Sequence, residues 1–381
     1  MNKQLTVTKV AFSLAMAGMM MAANADTIKI GFSAVMSGAF GHYGKDMENA
    51  AKIAIEEANA QKIKIGGSVA NFVLVSEDDQ ADPRTGVAVA QRLVDAGVAG
   101  VVGHFNSGTS IPASKIYASA GIPQISPASS NPQLTAQGFK STFRIINTDA
   151  QMGSYAGSYA VKELKAKRIA VIDDRTAFGQ GMADEFSKAV KAAGGTIVSR
   201  EFTTDKNTDF MSVLTSIKSA KADLVFFGGL DAQAGPMAKQ MKQLGLNAPL
   251  MGGGGFTTDN FISLAGKDSA EGTLSWEYGL PVDKMPKGKQ LEEKMKKKFG
   301  TDILAYSPFT YDATWAMINA MAKANSADPK VYLPALAKID FPGVSGRIAF
   351  TNTGDMKYAA ASLYKVKNGK WENLLIQQGS K

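Results

Sequence analysis

Apolar residues recur along this chain in two alternating rhythms. Short β-rich runs at 28–32, 72–75, 99–102, 122–125 and 143–146 are interleaved with segments of helical spacing at 44–60, 85–96 and 111–120. In 44–60, for example, Met47, Ala51, Ile53, Ala54 and Ala58 fall on one helical face. A helical segment at 152–165 opens a second set, continuing through 168–172, 179–193, 196–201, 210–219, 224–227, 234–244 and 250–251. Strands alternating with helices predict an α/β fold of parallel sheets built from right-handed βαβ units. Two such sets predict two doubly wound parallel-sheet lobes rather than one.

After 272–278 the pattern turns to helices at 288–299, 308–324 and 331–337. It closes with strands around 347–350 and 360–366 and a tight Asn368-Gly369 turn before Trp371. The late helices need a surface to cover, and the first lobe is short of cover. The chain is therefore expected to return to that lobe near Trp276 and to leave it again near Asp355. The expected lobes are 26–147 plus 277–356 and 148–276 plus 357–381, with three crossovers forming a hinge and a cleft.

The first 25 residues stand apart. Lys3 and Lys9 form a positive region, 10–22 an apolar one, and Ala23-Asn24-Ala25 a small-residue cleavage site. This is the pattern of a secretory signal peptide, too short for a membrane span, with cleavage expected after Ala25. No cysteine follows, which excludes a lipid-anchored lipoprotein, any disulfide and any thiolate chemistry. The formal charge of +8 falls by two without Lys3 and Lys9, and much of the remainder crowds one helix at Lys294, Lys296, Lys297 and Lys298. That pattern predicts a solvated face, and no basic stretch has the interleaved aromatics of a nucleic-acid module.

The chemistry concentrates in 103–135. Ser107, Gly108, Thr109 and Ser110 follow one strand and precede a helix, where unpaired N–H groups suit a carboxylate. The next strand ends in a second hydroxyl-rich loop, 126–132, with Ala128 and Ser130. Two such loops at the carboxyl ends of neighbouring parallel strands form the crevice in which open α/β sheets bind ligands, although N-cap serines are also common structural devices. With two histidines and no cysteine there is little material for a zinc cluster or a histidine-based triad. His104 reads as a structural hydrogen-bonder. The four glycines at 252–255 lack a dinucleotide fingerprint, and no G-x-S-x-G, G-K-[ST] or H-E-x-x-H motif occurs. An enzyme and a cofactor are not expected.

Six stretches, in order, carry a resemblance: IKIGFSAVMSGAFGHYGKDMENAAKIAIEEAN, EDDQADPRTGVAVAQRLV, GHFNSGTSIPASKIY, PQISPASSNPQLT, FFGGLDAQAGPMAKQM and AEGTLSW. Together they resemble the leucine/isoleucine/valine-type periplasmic binding proteins, the soluble receptors of ABC importers, over essentially all of 26–381. The resemblance implies a type I periplasmic binding fold, two lobes closing on a small ligand, and delivery to an inner-membrane permease by a protein expected to be a monomer. It places Ser107, Ala128 and Ser130 at the ligand's carboxylate and ammonium and Tyr43 at the cleft mouth. Phe178 corresponds to an aromatic lid, and Leu230 stands where the family has another aromatic.

The chain departs from the family at Gly254, where leucine-type receptors carry the acid that pairs with the ligand's ammonium. A buried cation without a carboxylate is costly. Either another acid compensates, with Asp231 the nearest in sequence, or the ligand has no ammonium; Asp231 reads equally well as a solvated helix cap. The family's disulfide is absent too, with Ala81 and Asn106 at the matching positions. The leading expectation is a receptor for an aliphatic or aromatic amino acid. The alternatives are the same fold holding a non-amino-acid carboxylate or amide, and a sensory ligand-binding module.

Overall fold

The computed structural model describes residues 27–378, so the expected leader at 1–25 lies outside the described residues. Two sheets organise the chain. The first has five parallel strands in the order Asn71–Asp78, Thr27–Ala34, Gly100–Gly103, Gln124–Ser126 and Thr142–Arg144. The second has seven, in the order Lys370–Gln377, Ala361–Lys367, Leu274–Tyr278, Leu250–Gly252, Leu224–Gly228, Arg168–Asp173 and Thr196–Phe202. Its first two strands run antiparallel to their neighbours and the rest are parallel. The central strands, such as Gly100–Gly103 and Leu224–Gly228, are buried along their whole length, as parallel strands covered on both faces require, whereas the edge strands Thr196–Phe202 and Lys370–Gln377 are largely exposed or half-buried.

The predicted rhythm holds through both sets, and the local start signals explain the helix boundaries. Asp82 caps Pro83–Asp95 by accepting from the Thr85 amide at 2.8 Å, and Thr148 with Gln151 forms a reciprocal capping box for Asp149–Lys162. Two helices begin earlier than their periodicity suggests: Ser107–Ala120 and Asp231–Gln243 contain Pro112 and Pro236. A proline reads as a boundary, yet here each helix runs a turn and a half before it. The stretch 107–110 is therefore the first helical turn itself. Helices Asp259–Ala265 and Lys267–Ala270, of 7 and 4 residues, are too short to show a period in sequence.

The chain passes between the two sheets three times. It leaves the first after Thr142–Arg144, and helix Asp149–Lys162 packs on Ala177–Ala192 of the second set. After Leu274–Tyr278 it returns, and helix Ser307–Ala324 packs along Gly41–Ala60 and reaches strands Gly100–Gly103 and Gln124–Ser126. It leaves again to add Ala361–Lys367 and Lys370–Gln377 to the second sheet, while Arg347–Ala349 stays behind in a hairpin with Asp340–Pro342. The largest apolar cluster is continuous from Ile30 and Phe32 of the first sheet to Ile169 and Val171 of the second.

Candidate functional site

The two polar loops of the first sheet meet as the sequence predicts. Ser107 is the first residue of its helix and is 1% exposed, and the amides of Ser107 and Gly108 lack intrahelical partners by position. The Ser107 hydroxyl accepts from the Asn131 amide at 3.2 Å, which ties this loop to the next. Ser126 and Ser129 donate to the carbonyl of His104, and Ser110 pairs with Ser129. His104 itself is buried, with Nδ1 2.7 Å from Asp79 and Nε2 2.9 Å from the Tyr117 hydroxyl, so its role is structural. From behind, the buried guanidinium of Arg144 donates to the carbonyls of Ser129 and Asn131 at 3.0 and 2.8 Å and to Asp355 at 2.7 Å. The loop carrying Ala128 and Ser130 is thus held from both sides, which is what positions a binding group.

Opposite these loops, helix starts of the second set close a small chamber. Its lining is Phe105, Asn106, Ser107, Ala128, Phe178, Leu230 and Tyr306, and its volume is about 20 Å³, room for about one water. Four of the eight predicted residues (Ser107, Ala128, Phe178 and Leu230) therefore share one chamber, largely filled by their own side chains. A ligand enters only by separating the two walls. A cavity of about 240 Å³ beside the crossovers, lined in part by Ile145, Leu280 and Met356, contains none of the predicted residues.

Tyr43 stands behind the chamber rather than open at its mouth. Fully buried, it stacks on Phe105 at 5.2 Å between centroids, meets Tyr306 edge-on at 5.7 Å, and donates across to the Gly255 carbonyl at 2.9 Å. Asn131 makes a second bridge, to the carbonyl of Ala177 at 2.6 Å, and His42 a third, to Asp231 at 3.1 Å.

Asp231 is 0% exposed, which removes the reading as a solvated cap. Its Oδ2 accepts from Thr258 at 2.7 Å and Asn260 at 3.1 Å besides facing His42, while Oδ1 has no partner. Gly254 lies beside it in the loop after Leu250–Gly252. The four glycines of 252–255 have a packing reason: a Cβ on each would meet, in turn, Phe256 at 2.6 Å, Met182 at 2.7 Å, Tyr278 at 2.7 Å and Leu230 at 2.5 Å. Gly254 and Gly255 also take φ of +124° and +80°, which side chains disfavour. The amides of Gly255, Phe256 and Thr257 converge on the buried carboxyl of Glu277, at 2.9, 3.1 and 3.3 Å, so this backbone nest is already occupied by an internal carboxyl group, which burial pushes above its ordinary value.

Ser130, the other first-lobe residue expected at the ligand, is not among the residues lining the chamber; it belongs to a buried polar cluster whose other members, Asp149 and Tyr278, were not legible in the sequence. Ser130 is fully buried, and its hydroxyl approaches the Asp149 carboxyl and the Tyr278 hydroxyl without forming a well-aligned hydrogen bond to either. Close beside it lie the Asp149 carboxyl and the Tyr278 hydroxyl, also buried, and neither Asp149 oxygen nor the Tyr278 oxygen has a partner. Burial pushes Asp149 up to about 7, opposed by Ser130 and the Arg144 charge and reinforced by Glu185. The capping-box context of Asp149 reads as an ordinary helix start, while Tyr278 and Tyr306 come from segments more than a hundred residues away. No local pattern points to their meeting.

Burial likewise raises Asp46 and Asp174 to about 7 and Asp312 to about 6. Between about pH 4 and 7 the folded chain therefore binds more protons than the unfolded one, and stability falls as pH rises across that window. The melting temperature of the ligand-free protein is expected to be higher at pH 5 than at pH 8; the opposite order would contradict these assignments.

A family model of periplasmic binding proteins matches residues 27–370. The chain belongs to this family. It is 35% identical over 344 residues to the Leu/Ile/Val-binding protein homolog 1 of Brucella suis, covering 90% of this chain and 91% of that one. It is 34% identical over 370 residues to the Leu/Ile/Val-binding protein BraC3 of Rhizobium johnstonii, covering 97% and 98%. Among solved structures, the leucine-binding protein LivK of Thermotoga maritima superposes with a TM-score of 0.84 at 26% identity, covering 92% of this chain and 98% of that one. The branched-chain amino acid binding protein LivJ of Streptococcus pneumoniae, in complex with isoleucine, gives 0.80 at 26%, covering 93% and 99%. This periplasmic binding protein thus shares the type I fold of LivK and LivJ, and its relatives are solute-binding proteins. Among the described residues no helix is long and apolar enough to cross a membrane, and no group of three or more His, Cys, Asp or Glu could hold a metal ion.

Proposed function

We propose that this periplasmic binding protein is the solute receptor of an ABC importer and closes around an α-amino acid with an aliphatic or aromatic side chain. The names of its relatives support the ligand class, and the leader at 1–25, cleaved after Ala25, would deliver it to the periplasm. The lobes are 26–147 plus 277–356 and 148–276 plus 357–381, and the closed form would dock on an inner-membrane permease.

One observation carries the reading: Asp149, a buried carboxyl with neither oxygen satisfied, beside the unsatisfied Ser130 hydroxyl. Buried polar groups almost always have partners, so an orphaned carboxylate next to a ligand loop marks where a ligand donor goes. The charge balance agrees. Asp149, Asp231 and Glu277 all lie near Tyr306, whereas the nearby guanidinium of Arg144 is committed to Asp355. The site is short of a positive charge, which an ammonium supplies.

The ligand's carboxylate would lie at the Ser107 and Gly108 amides, next to Ala128, and its ammonium at Asp149 and Ser130. Its side chain would face Phe178 and Leu230. We assign the ammonium to Asp149 in preference to Asp231 because one Asp231 oxygen is already engaged by three neighbours. Only the closed form touches the ligand from both lobes, so binding shifts the open–closed equilibrium.

A thermal-shift screen against amino acids and small carboxylates tests this. A ligand at 100 times its dissociation constant adds about 2.7 kcal/mol of stability, a visible rise in melting temperature. Leucine, isoleucine, valine or phenylalanine should raise the melt, and Ser107→Ala with Ser130→Ala should weaken that ligand by about 1–3 kcal/mol. The second reading, a carboxylate without an ammonium, is favoured by Gly254; a shift only with amine-free acids would establish it.

A further inference from the structure

Resting on the amino-acid reading, we propose that Tyr278 completes, with Ser130 and Asp149, a three-acceptor socket selective for a primary ammonium. The ring of Tyr278 fills the space that any side chain at position 254 would need. A Cβ built on Gly254 would lie 2.7 Å from its Cε2 and 3.1 Å from its hydroxyl oxygen, so the phenol stands where a side chain at 254 would begin. Gly254 and Tyr278 are therefore a matched pair, the first having no side chain because the second fills the space.

The Tyr278 hydroxyl is buried without a partner, as are the Ser130 hydroxyl and both Asp149 oxygens beside it. An α-ammonium brings three N–H donors, and these three residues offer one acceptor each, the remaining lone pairs of the Asp149 carboxylate being left for the hydrogens of the phenol and of the Ser130 hydroxyl. Each group costs free energy while unsatisfied in the closed form, and a primary ammonium satisfies all three together. A secondary amine brings one donor fewer and puts an alkyl group against a polar wall. The substrate class is thus narrowed to amino acids with a free primary amine, excluding N-methylated amino acids and proline.

The test is calorimetric titration of the mature chain and its Tyr278→Phe variant with L-leucine, N-methyl-L-leucine and 4-methylpentanoate, with ligand-free melts to compare folding. Wild type should prefer L-leucine to N-methyl-L-leucine by about a hundredfold, because a polar site rejects an analogue that leaves its groups unpaired. Tyr278→Phe should weaken L-leucine about tenfold, the loss of one hydrogen bond to a charged group, with 4-methylpentanoate changed less than about twofold. L-leucine binding untouched by Tyr278→Phe overturns the proposal, as does an equal loss for 4-methylpentanoate, which would signal a packing role. Tight binding of N-methyl-L-leucine to wild type overturns it whatever the variant does. If wild type binds none of leucine, isoleucine, valine and phenylalanine, the amino-acid reading fails and takes the socket with it.

Discussion

Asp149→Asn is expected to lose about 3 kcal/mol of amino-acid binding, roughly a hundredfold in affinity, while raising the melting temperature of the ligand-free protein. Both halves come from one fact. In the closed cleft the carboxyl is fully buried with neither oxygen hydrogen-bonded, and burial lifts it to about 7. An isosteric amide removes that burial cost, so the empty protein gains stability. With an amino acid present, the amide no longer offsets the buried ammonium, so binding suffers. Gain of stability with loss of function is the usual mark of a site kept strained for its ligand.

The same carboxyl gives binding a pH dependence. Ammonium binding favours the ionised form, so affinity should hold above about pH 7 and fall by up to about tenfold per pH unit below it. Arg144 and Glu185 are the charged neighbours that set the midpoint, the first lowering and the second raising it. Titrations of wild type and Asp149→Asn between pH 5.5 and 8 check this: the variant should show a flat profile over the same range. A mutant that binds leucine as tightly as wild type would remove Asp149 from the site.

Gly254→Ala is the second large effect, an expected destabilisation of about 3 kcal/mol from backbone strain together with overpacking. The residue sits at φ +124°, and its Cβ would meet the Tyr278 ring at 2.7 Å, where that ring is itself packed and 4% exposed. Gly245→Ala is the control. Its φ is +64° with nothing within 4 Å of the new Cβ, so only backbone strain of about 1 kcal/mol is expected. Chemical denaturation of the two variants separates the terms. Equal losses would show that Tyr278 does not fill the space at 254.

These residues also mark where sequence reasoning reached and where it stopped. The alternation of strands and helices was legible because each element has its own period, and the two hydroxyl-rich loops because they directly follow strands; Ser107, Ala128 and Ser130 within them were assigned to the ligand through a family resemblance. Phe178 and Leu230 were placed through a family resemblance, and both line the chamber. Tyr43 was placed by the same route, yet it packs behind Phe105 and bridges to Gly255. Asp149 was hidden by its capping-box context, where an acid in the first turn serves the helix dipole. Tyr278 ends an apolar strand and declares its role only when the backbone at 254 is brought against it. Gly252–Gly255 was visible as an oddity, but its cause, four side chains already occupying the Cβ positions, is purely tertiary.

The central claim is that the closed cleft is built for an ammonium although position 254 carries no acid. Calorimetric titration of the wild-type protein at pH 7.5 with L-leucine and with 4-methylpentanoate tests it most directly, since the two share a carbon skeleton and a carboxylate and differ in the amine. The account predicts that L-leucine binds tighter by about a hundredfold or more, the worth of a charge met by a buried carboxylate. Equal affinities, or a preference for 4-methylpentanoate, would contradict it and make the glycine at 254 the sign of a receptor for amine-free acids.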